Sequence, residues 1–143
     1  MKRFHVNVAV ADVSNSVDFY TGLFGVAPTI AKDDYAKWML DDPRLNFSVS
    51  RAQAAAGLRH VGLQFESEGE LDAVTARLDA AGTQLAQQTG AECCYARSDK
   101  TWLRDPDHVI WELFLTHEQI DSFGADGAVS MAGESPKARS CCA

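Results

Sequence analysis

A surplus of basic residues is missing from this chain: 13 lysines and arginines stand against 20 acids, for a formal net charge of -7. The cations are scattered among the acids and form no stripe, which argues against a nucleic-acid backbone as partner. Also absent is any apolar run approaching the ~18 residues of a membrane-spanning helix. The opening Met1-Lys-Arg-Phe-His5 has no apolar core of the kind a secretory signal carries. A cytoplasmic protein is the expectation, with neither nucleic acid nor membrane as partner. Cysteine is scarce, and none stands alone: of the four in 143 residues, Cys93 adjoins Cys94 and Cys141 adjoins Cys142. Neighbouring thiols are awkward to join as a disulfide, and in a reducing compartment such groups bind or react. In a strand Cys93 and Cys94 would point to opposite faces. Only a loop or bulge lets both sulfurs converge on one object, for which a soft metal or metalloid is the natural candidate.

What is present fits one compact domain, since 143 residues at 46% hydrophobic content can bury a modest core. Phe4-His-Val-Asn-Val-Ala-Val10 alternates like a strand. Asp12 or Ser14 can cap a helix in which Val17, Tyr20 and Phe24 recur at helical spacing before Gly25. The segments Tyr35-Ala-Lys-Trp-Met-Leu40 and Leu45-Asn-Phe-Ser-Val49 predict a hairpin around Asp41-Asp-Pro43. After a small-residue connector the order restarts. Arg59-His-Val-Gly-Leu-Gln-Phe65 alternates, and Leu71, Val74, Leu78 and Ala81 mark a helix ending at Gly82. Then come Cys93-Cys-Tyr-Ala96, Thr101-Trp-Leu103, the turn Asp105-Pro-Asp107 and Val109-Ile-Trp-Glu-Leu-Phe-Leu115. The predicted fold class is α+β: two paired β-α-β-β-β modules, at about residues 3–51 and 58–115, forming a cupped mixed sheet. A domain of residues 1–121 is expected, with Thr116 to Ile120 read as a short helical extension. Residues 122–143, rich in Gly, Ala and Ser, are expected to form a flexible tail carrying the terminal thiol pair.

The restart places His5 and His60 at equivalent positions, so pseudo-twofold pairing of the modules brings them into one concavity. Glu112 adds a carboxylate inside an otherwise apolar last strand. A lone histidine near a strand start is more often a hydrogen-bonded structural residue, and a lone strand glutamate can face solvent. Three ligand-type residues converging from three strands favour metal ligation by His5, His60 and Glu112. His108, in a turn after Pro106, and His117, past the last strand, are expected to be solvent-exposed.

With these residues in place, residues 3 to 115 resemble the vicinal oxygen chelate superfamily of glyoxalase I, extradiol dioxygenases and bleomycin resistance proteins. Cys93-Cys-Tyr-Ala-Arg-Ser-Asp-Lys-Thr-Trp102 followed by Trp111-Glu-Leu-Phe114 is similar to its arsenic and cadmium resistance branch of carbon-arsenic lyases and cadmium-induced proteins. The resemblance implies a nonheme Fe(II) enzyme that uses dioxygen to split the carbon-arsenic bond of trivalent organoarsenicals such as methyl- or phenylarsenite, releasing inorganic arsenite. Cys93 and Cys94 match the branch's substrate thiols, His5, His60 and Glu112 its metal positions, and no catalytic residue beyond the ligands is implied. Some members of the branch carry Gln where this chain has His5, so metal preference does not carry across. A homodimer is expected from the superfamily.

Two other readings stand beside this one: a thiol-based buffer that sequesters cadmium or arsenic without turnover, and an extradiol-type dioxygenase, which leaves Cys93 and Cys94 without a task. A glyoxalase-type site would need a fourth ligand, a carboxylate in the last strand of the first module, and Leu45-Asn-Phe-Ser-Val49 has none. Cys141 and Cys142 are candidate accessory thiols for buffer or lyase, or incidental residues of a tail. Arg97 and Lys100 can favour thiolates if their heads lie close. Tyr35, Trp38, Tyr95 and Trp102 can wall an organic group or simply pack.

Overall fold

The structure, a computed structural model, describes residues 2–125, and the Cys141–Cys142 pair lies outside them. Strand β1 (Arg3–Val10) buries His5, Asn7 and Ala9 on one face, while Val6, Val8 and Val10 on the other pack against the first helix and its neighbours. That helix, α1 (Val13–Phe24), begins where Asp12 stays extended and accepts a hydrogen bond from the Asn15 amide at 2.8 Å. It ends at Gly25, whose φ of 72° is the left-handed conformation glycine tolerates best. Val13, Val17, Tyr20 and Phe24 form the stripe that meets Trp38, Phe47 and Val49, which makes the core of the first module.

The first module closes with β2 (Ile30–Ala31), β3 (Tyr35–Asp41) and β4 (Arg44–Arg51), the last two forming the expected hairpin across a cis Asp42–Pro43 bond. The second comprises β5 (Gly57–Phe65), α2 (Glu68–Ala80), β6 (Ala86–Cys93), β7 (Ala96–Arg104) and β8 (Ile110–Gln119). Ser67 caps α2 by accepting from the Glu70 amide at 3.3 Å, and Leu71 joins Phe65 and Leu113 in a second core.

One eight-stranded mixed sheet results, in the order β2-β3-β4-β1-β5-β8-β7-β6. Within each module the first strand runs parallel to the last, β1 with β4 and β5 with β8, and the modules join where β1 meets β5 antiparallel. Both modules belong to one chain, so His5 and His60 meet without help from a second copy. Period-two alternation then gives every long strand two unlike faces. One is apolar and covered by the helices; the other is concave and lined with buried polar side chains such as Asn7, Lys37, Asn46 and Ser48. Burying so many polar groups is costly unless they serve each other or a ligand. Among the described residues no helix is long and apolar enough to cross a membrane.

Two expectations are corrected. Thr116 to Gln119 is not helical; β8 runs on to Gln119 because Ser98, Arg97 and Ala96 of β7 offer it ladder partners at Thr116, Glu118 and Gln119. A single isolated turn of helix would forgo those bonds. Cys93-Cys-Tyr-Ala96 is not one element either, because β6 ends at Cys93, β7 begins at Ala96, and Cys94 and Tyr95 form the turn between them.

Candidate metal and thiol site

Register builds the cluster. His5 on β1 stands opposite Gly62 on β5, Gly62 stands opposite Glu112 on β8, and His60 lies two residues from Gly62 on the same face. Gly62 is the keystone of this row. A Cβ there would come within 2.0 Å of the Glu112 carbonyl oxygen, so only glycine lets β8 lie this close and bring its carboxylate beside the two imidazoles. The result is a triangle of donor atoms: His5 Nε2 to His60 Nε2 is 3.1 Å, His60 Nε2 to Glu112 Oε2 is 3.2 Å, and His5 Nε2 to Glu112 Oε2 is 3.4 Å. All three residues are buried.

The surroundings prepare these atoms as donors. His5 Nδ1–H donates to the Asn46 carbonyl at 3.0 Å, which leaves the Nε2 lone pair facing the cluster. Burial pushes His60 below the ordinary imidazole value against the opposing pull of Glu112, so its ring is neutral near pH 7. For Glu112 burial alone would raise the pKa, but the Lys100 ammonium 2.8 Å from Oε1 and the neighbouring His60 outweigh it and hold the carboxyl well below the usual range. Lys100 thus occupies one carboxylate oxygen and leaves Oε2 for the cluster. Donors about 2.1 Å from one ion and at right angles to each other stand about 3.0 Å apart, close to the triangle seen here. Two imidazoles and one carboxylate fit a divalent cation bound on one face.

Asn46 occupies the place where a fourth ligand would stand. It pairs with His5 across β1 and β4, its Nδ2 donates to Gln64 Oε1 at 2.9 Å, and its buried Oδ1 has no hydrogen-bond partner among the described residues. A neutral amide here leaves the donor set at three charged or strongly basic ligands. In the Asn46→Asp variant a carboxylate of nearly the same volume would join them, and chelator should then strip the metal about tenfold more slowly. Faster stripping would show that Oδ1 does not face the ion.

The two cysteine sulfurs, of which Cys94 is a free thiol and Cys93 is disulfide-bonded, come to the same cavity by way of the β6–β7 turn. Cys93 pairs with Ala96 across it, and the two residues between, Cys94 and Tyr95, have φ of 57° and 61°. Two consecutive left-handed residues are the signature of a tight two-residue hairpin turn, and they rotate the second sulfur back toward the first. The sulfurs stand 2.8 Å apart. Tyr95 pins the turn: its hydroxyl donates to Asp34 Oδ1 at 2.7 Å, and its ring packs edge-on to Phe123. Burial, and then the bond to Asp34, push its pKa up to about 12, so the phenol keeps its donor proton. Phe123, which lies in the segment expected to be tail, packs against Cys93. The cavity beneath has a free volume of about 40 Å³ and is lined by His5, His60, Glu112, Cys93 and Cys94 together.

Other expected residues divide. Tyr35 and Trp102 line this cavity, whereas Trp38 faces the opposite side of the sheet in the first core. Arg97 reaches out to Glu118 at 2.9 Å and Lys100 goes to Glu112, so neither is the cation committed to the thiols. His108 is exposed in its turn, and His117, also exposed, pairs with Asp99 at 2.9 Å. Lys37 and Phe114 line the cavity and were not singled out from the sequence. The signal was there for Lys37: in the alternating Tyr35-Ala-Lys37 it shares a face with Tyr35, and a lysine on the inward face of a strand is unusual.

Fold and donor set define a paired-module protein with a candidate metal site, and comparison with known proteins gives the family. Residues 2–113 match the Glyoxalase/Bleomycin resistance protein/Dioxygenase superfamily, and the chain belongs to it. It is 39% identical over 125 residues to a trivalent organoarsenical cleaving enzyme of Bacillus sp. strain MD1, spanning 85% of this chain and 77% of that one. It is 30% identical over 140 residues to the cadmium-induced protein CadI of Mycobacterium tuberculosis, spanning 92% of each. Among solved structures, an extradiol ring-cleaving dioxygenase from B. fuscum superposes with a TM-score of 0.62 at 14% identity, over 82% of this chain and 33% of that one. Methylmalonyl-CoA epimerase from Mycobacterium tuberculosis does so with a TM-score of 0.58 at 20% identity, over 80% and 87%. These two likenesses concern the fold.

Proposed function

We propose that this protein cleaves the carbon-arsenic bond of trivalent organoarsenicals, methyl- or phenylarsenite, using Fe(II) and dioxygen and releasing inorganic arsenite. One observation carries the reading: two converging cysteine sulfurs, Cys94 a free thiol and Cys93 disulfide-bonded in this structure and so a thiol only after reduction, line the same cavity as a His-His-carboxylate triangle. His5, His60 and Glu112 would hold the iron, which supplies a place for dioxygen beside the bound substrate. Cys93 and Cys94 bind the arsenic. Each thiol displaces one hydroxyl of the arsenical as water, so two As–S bonds replace two As–O bonds with no change of oxidation state. A soft As(III) centre prefers these ligands, and holding it at two points fixes which way its As–C bond faces. Tyr35, Trp102 and Phe114 line the remainder of the cavity and exclude water from the organic group. The relatives named for organoarsenical cleavage support this assignment. Residues 1–121 constitute the functional domain in this proposal, with Cys141 and Cys142 as accessory thiols that deliver arsenical or receive arsenite.

Sequestration of cadmium or arsenic by Cys93 and Cys94 without turnover is the second reading, favoured by the likeness to the cadmium-induced protein. One experiment separates the two. Reduced, iron-loaded protein is incubated with phenylarsenite in air and without oxygen, and the arsenic species are separated chromatographically. Arsenite formed over many turnovers in air alone is the expected result; tight binding with no arsenite above background would give the assignment to sequestration.

A further inference from the structure

Lys37 is a buried cation without a carboxylate. It sits on β3, is 8% exposed, and lines the thiol cavity, yet among the described residues it makes no ion pair. Lys100, buried to a similar degree, has Glu112 at 2.8 Å. A buried ammonium with no counter-charge is a large expense for a small protein, and is retained where a ligand or a reactive group supplies the anion. Among the other groups around it on the inner face, Tyr35 is neutral and Ser48, its partner on β4, carries no charge. Among the described residues, the Cys94 thiol, which lines the same cavity, is the group whose charge opposes the downward push of burial on the lysine.

We propose that Lys37 is the counter-cation of the Cys94 thiolate and supplies the proton that leaves with arsenic's hydroxyl. The inference rests on the reading of Cys93 and Cys94 as arsenical thiols. The step balances: the Cys94 sulfur gives an electron pair to arsenic, an As–S bond forms, and the As–O bond breaks. The departing hydroxide takes a proton from the Lys37 ammonium and leaves as water, and Lys37 is left neutral. No oxidant or reductant is involved. Among the described residues, several other charged groups near the turn are already engaged. Asp34 accepts from Tyr95, the Lys32 amine lies 5.3 Å from the Tyr95 ring, Arg97 pairs with Glu118, and Lys100 with Glu112; Asp33 adds only a weak negative field. Lys37 therefore has the position and the charge to stabilise the thiolate.

The thiolate half of the test needs neither iron, oxygen nor arsenic, so its outcome is independent of whether the protein is a lyase. Reduced, metal-free protein is alkylated with iodoacetamide across pH, and modification of Cys94 is followed by peptide mass spectrometry. In Lys37→Met the apparent pKa of Cys94 should rise by about one unit and alkylation near pH 7 should slow about tenfold. Lys37→Arg should restore the wild-type profile. Capture of phenylarsenite, followed separately, should be slow in both variants, because arginine keeps the charge but cannot release a proton. Thermal unfolding of Lys37→Met should not fall, since an unpaired buried charge has been replaced by an apolar chain of similar length; if that variant fails to fold, Lys37→Gln serves in its place. An unchanged Cys94 profile in a folded Lys37→Met or Lys37→Gln protein overturns the proposal, and arsenical capture by Lys37→Arg at the wild-type rate removes the proton-transfer half of it.

Discussion

Serine at either thiol position should leave phenylarsenite essentially uncleaved while iron remains bound. The β6–β7 turn holds the two sulfurs 2.8 Å apart before any substrate arrives, so the second As–S bond closes as an intramolecular step. Such preorganisation is worth roughly two or more orders of magnitude in effective concentration. A hydroxyl in place of one thiolate loses both the soft donor and the second point of attachment, and the As–C bond is then free to swing away from the metal. Turnover by Cys93→Ser and by Cys94→Ser should each fall about a hundredfold or more. The measurement is arsenite released per chain, with iron content determined on the same samples. If either variant keeps a tenth of wild-type turnover, the arsenical is not held at two points.

Loss of metal is the larger structural effect. Glu112→Gln and His60→Ala should each weaken metal binding by about a hundredfold or more, read as metal retained after dialysis against a mild chelator. Glutamine is chosen for Glu112 because its amide oxygen can still accept from the buried Lys100 ammonium, 2.8 Å from the carboxylate, although the counter-charge is lost, so folding is checked on the same samples. Breaking a buried pair on one side costs about 3–5 kcal/mol, enough to confuse unfolding with loss of a ligand. His108→Ala is the control, since that ring is exposed in the turn before β8 and touches none of the three donors. Equal metal loss in His108→Ala and His60→Ala would mean that the buried triangle is not the metal site.

Much of this molecule was legible because each local signal agreed with the fold. Alternation in Phe4–Val10 and in Arg59–Phe65 gave two strands with one apolar and one polar face, and the polar faces carried His5 and His60. The caps at Asp12 and Gly25 are short-range features, settled by a few neighbouring residues, and they fell where expected. What failed did so for a reason of range. The end of β8 looked like a brief helix because its pairing partners, Ala96 to Ser98, lie on another strand, and a ladder bond made across the sheet leaves no mark on the segment itself. Strand β6 was seen only at its last residues, since Ala86-Gln-Gln-Thr-Gly90 has few apolar side chains and is held by its pairing with β7.

By itself the sequence determined the inventory: two similar modules, a histidine at the same place in each, one carboxylate in an apolar strand, and two thiols that a strand would separate. These follow from residue type and spacing, which are local properties of the chain. Tertiary structure alone decided which groups face each other. Gly62 allows β8 to approach until Glu112 meets both imidazoles, two left-handed residues turn the sulfurs together, and Lys100 is drawn to Glu112 while Lys37 lines the cavity that the cysteines share. Those choices depend on register across strands far apart in sequence, where a shift of one residue would turn every inward side chain outward.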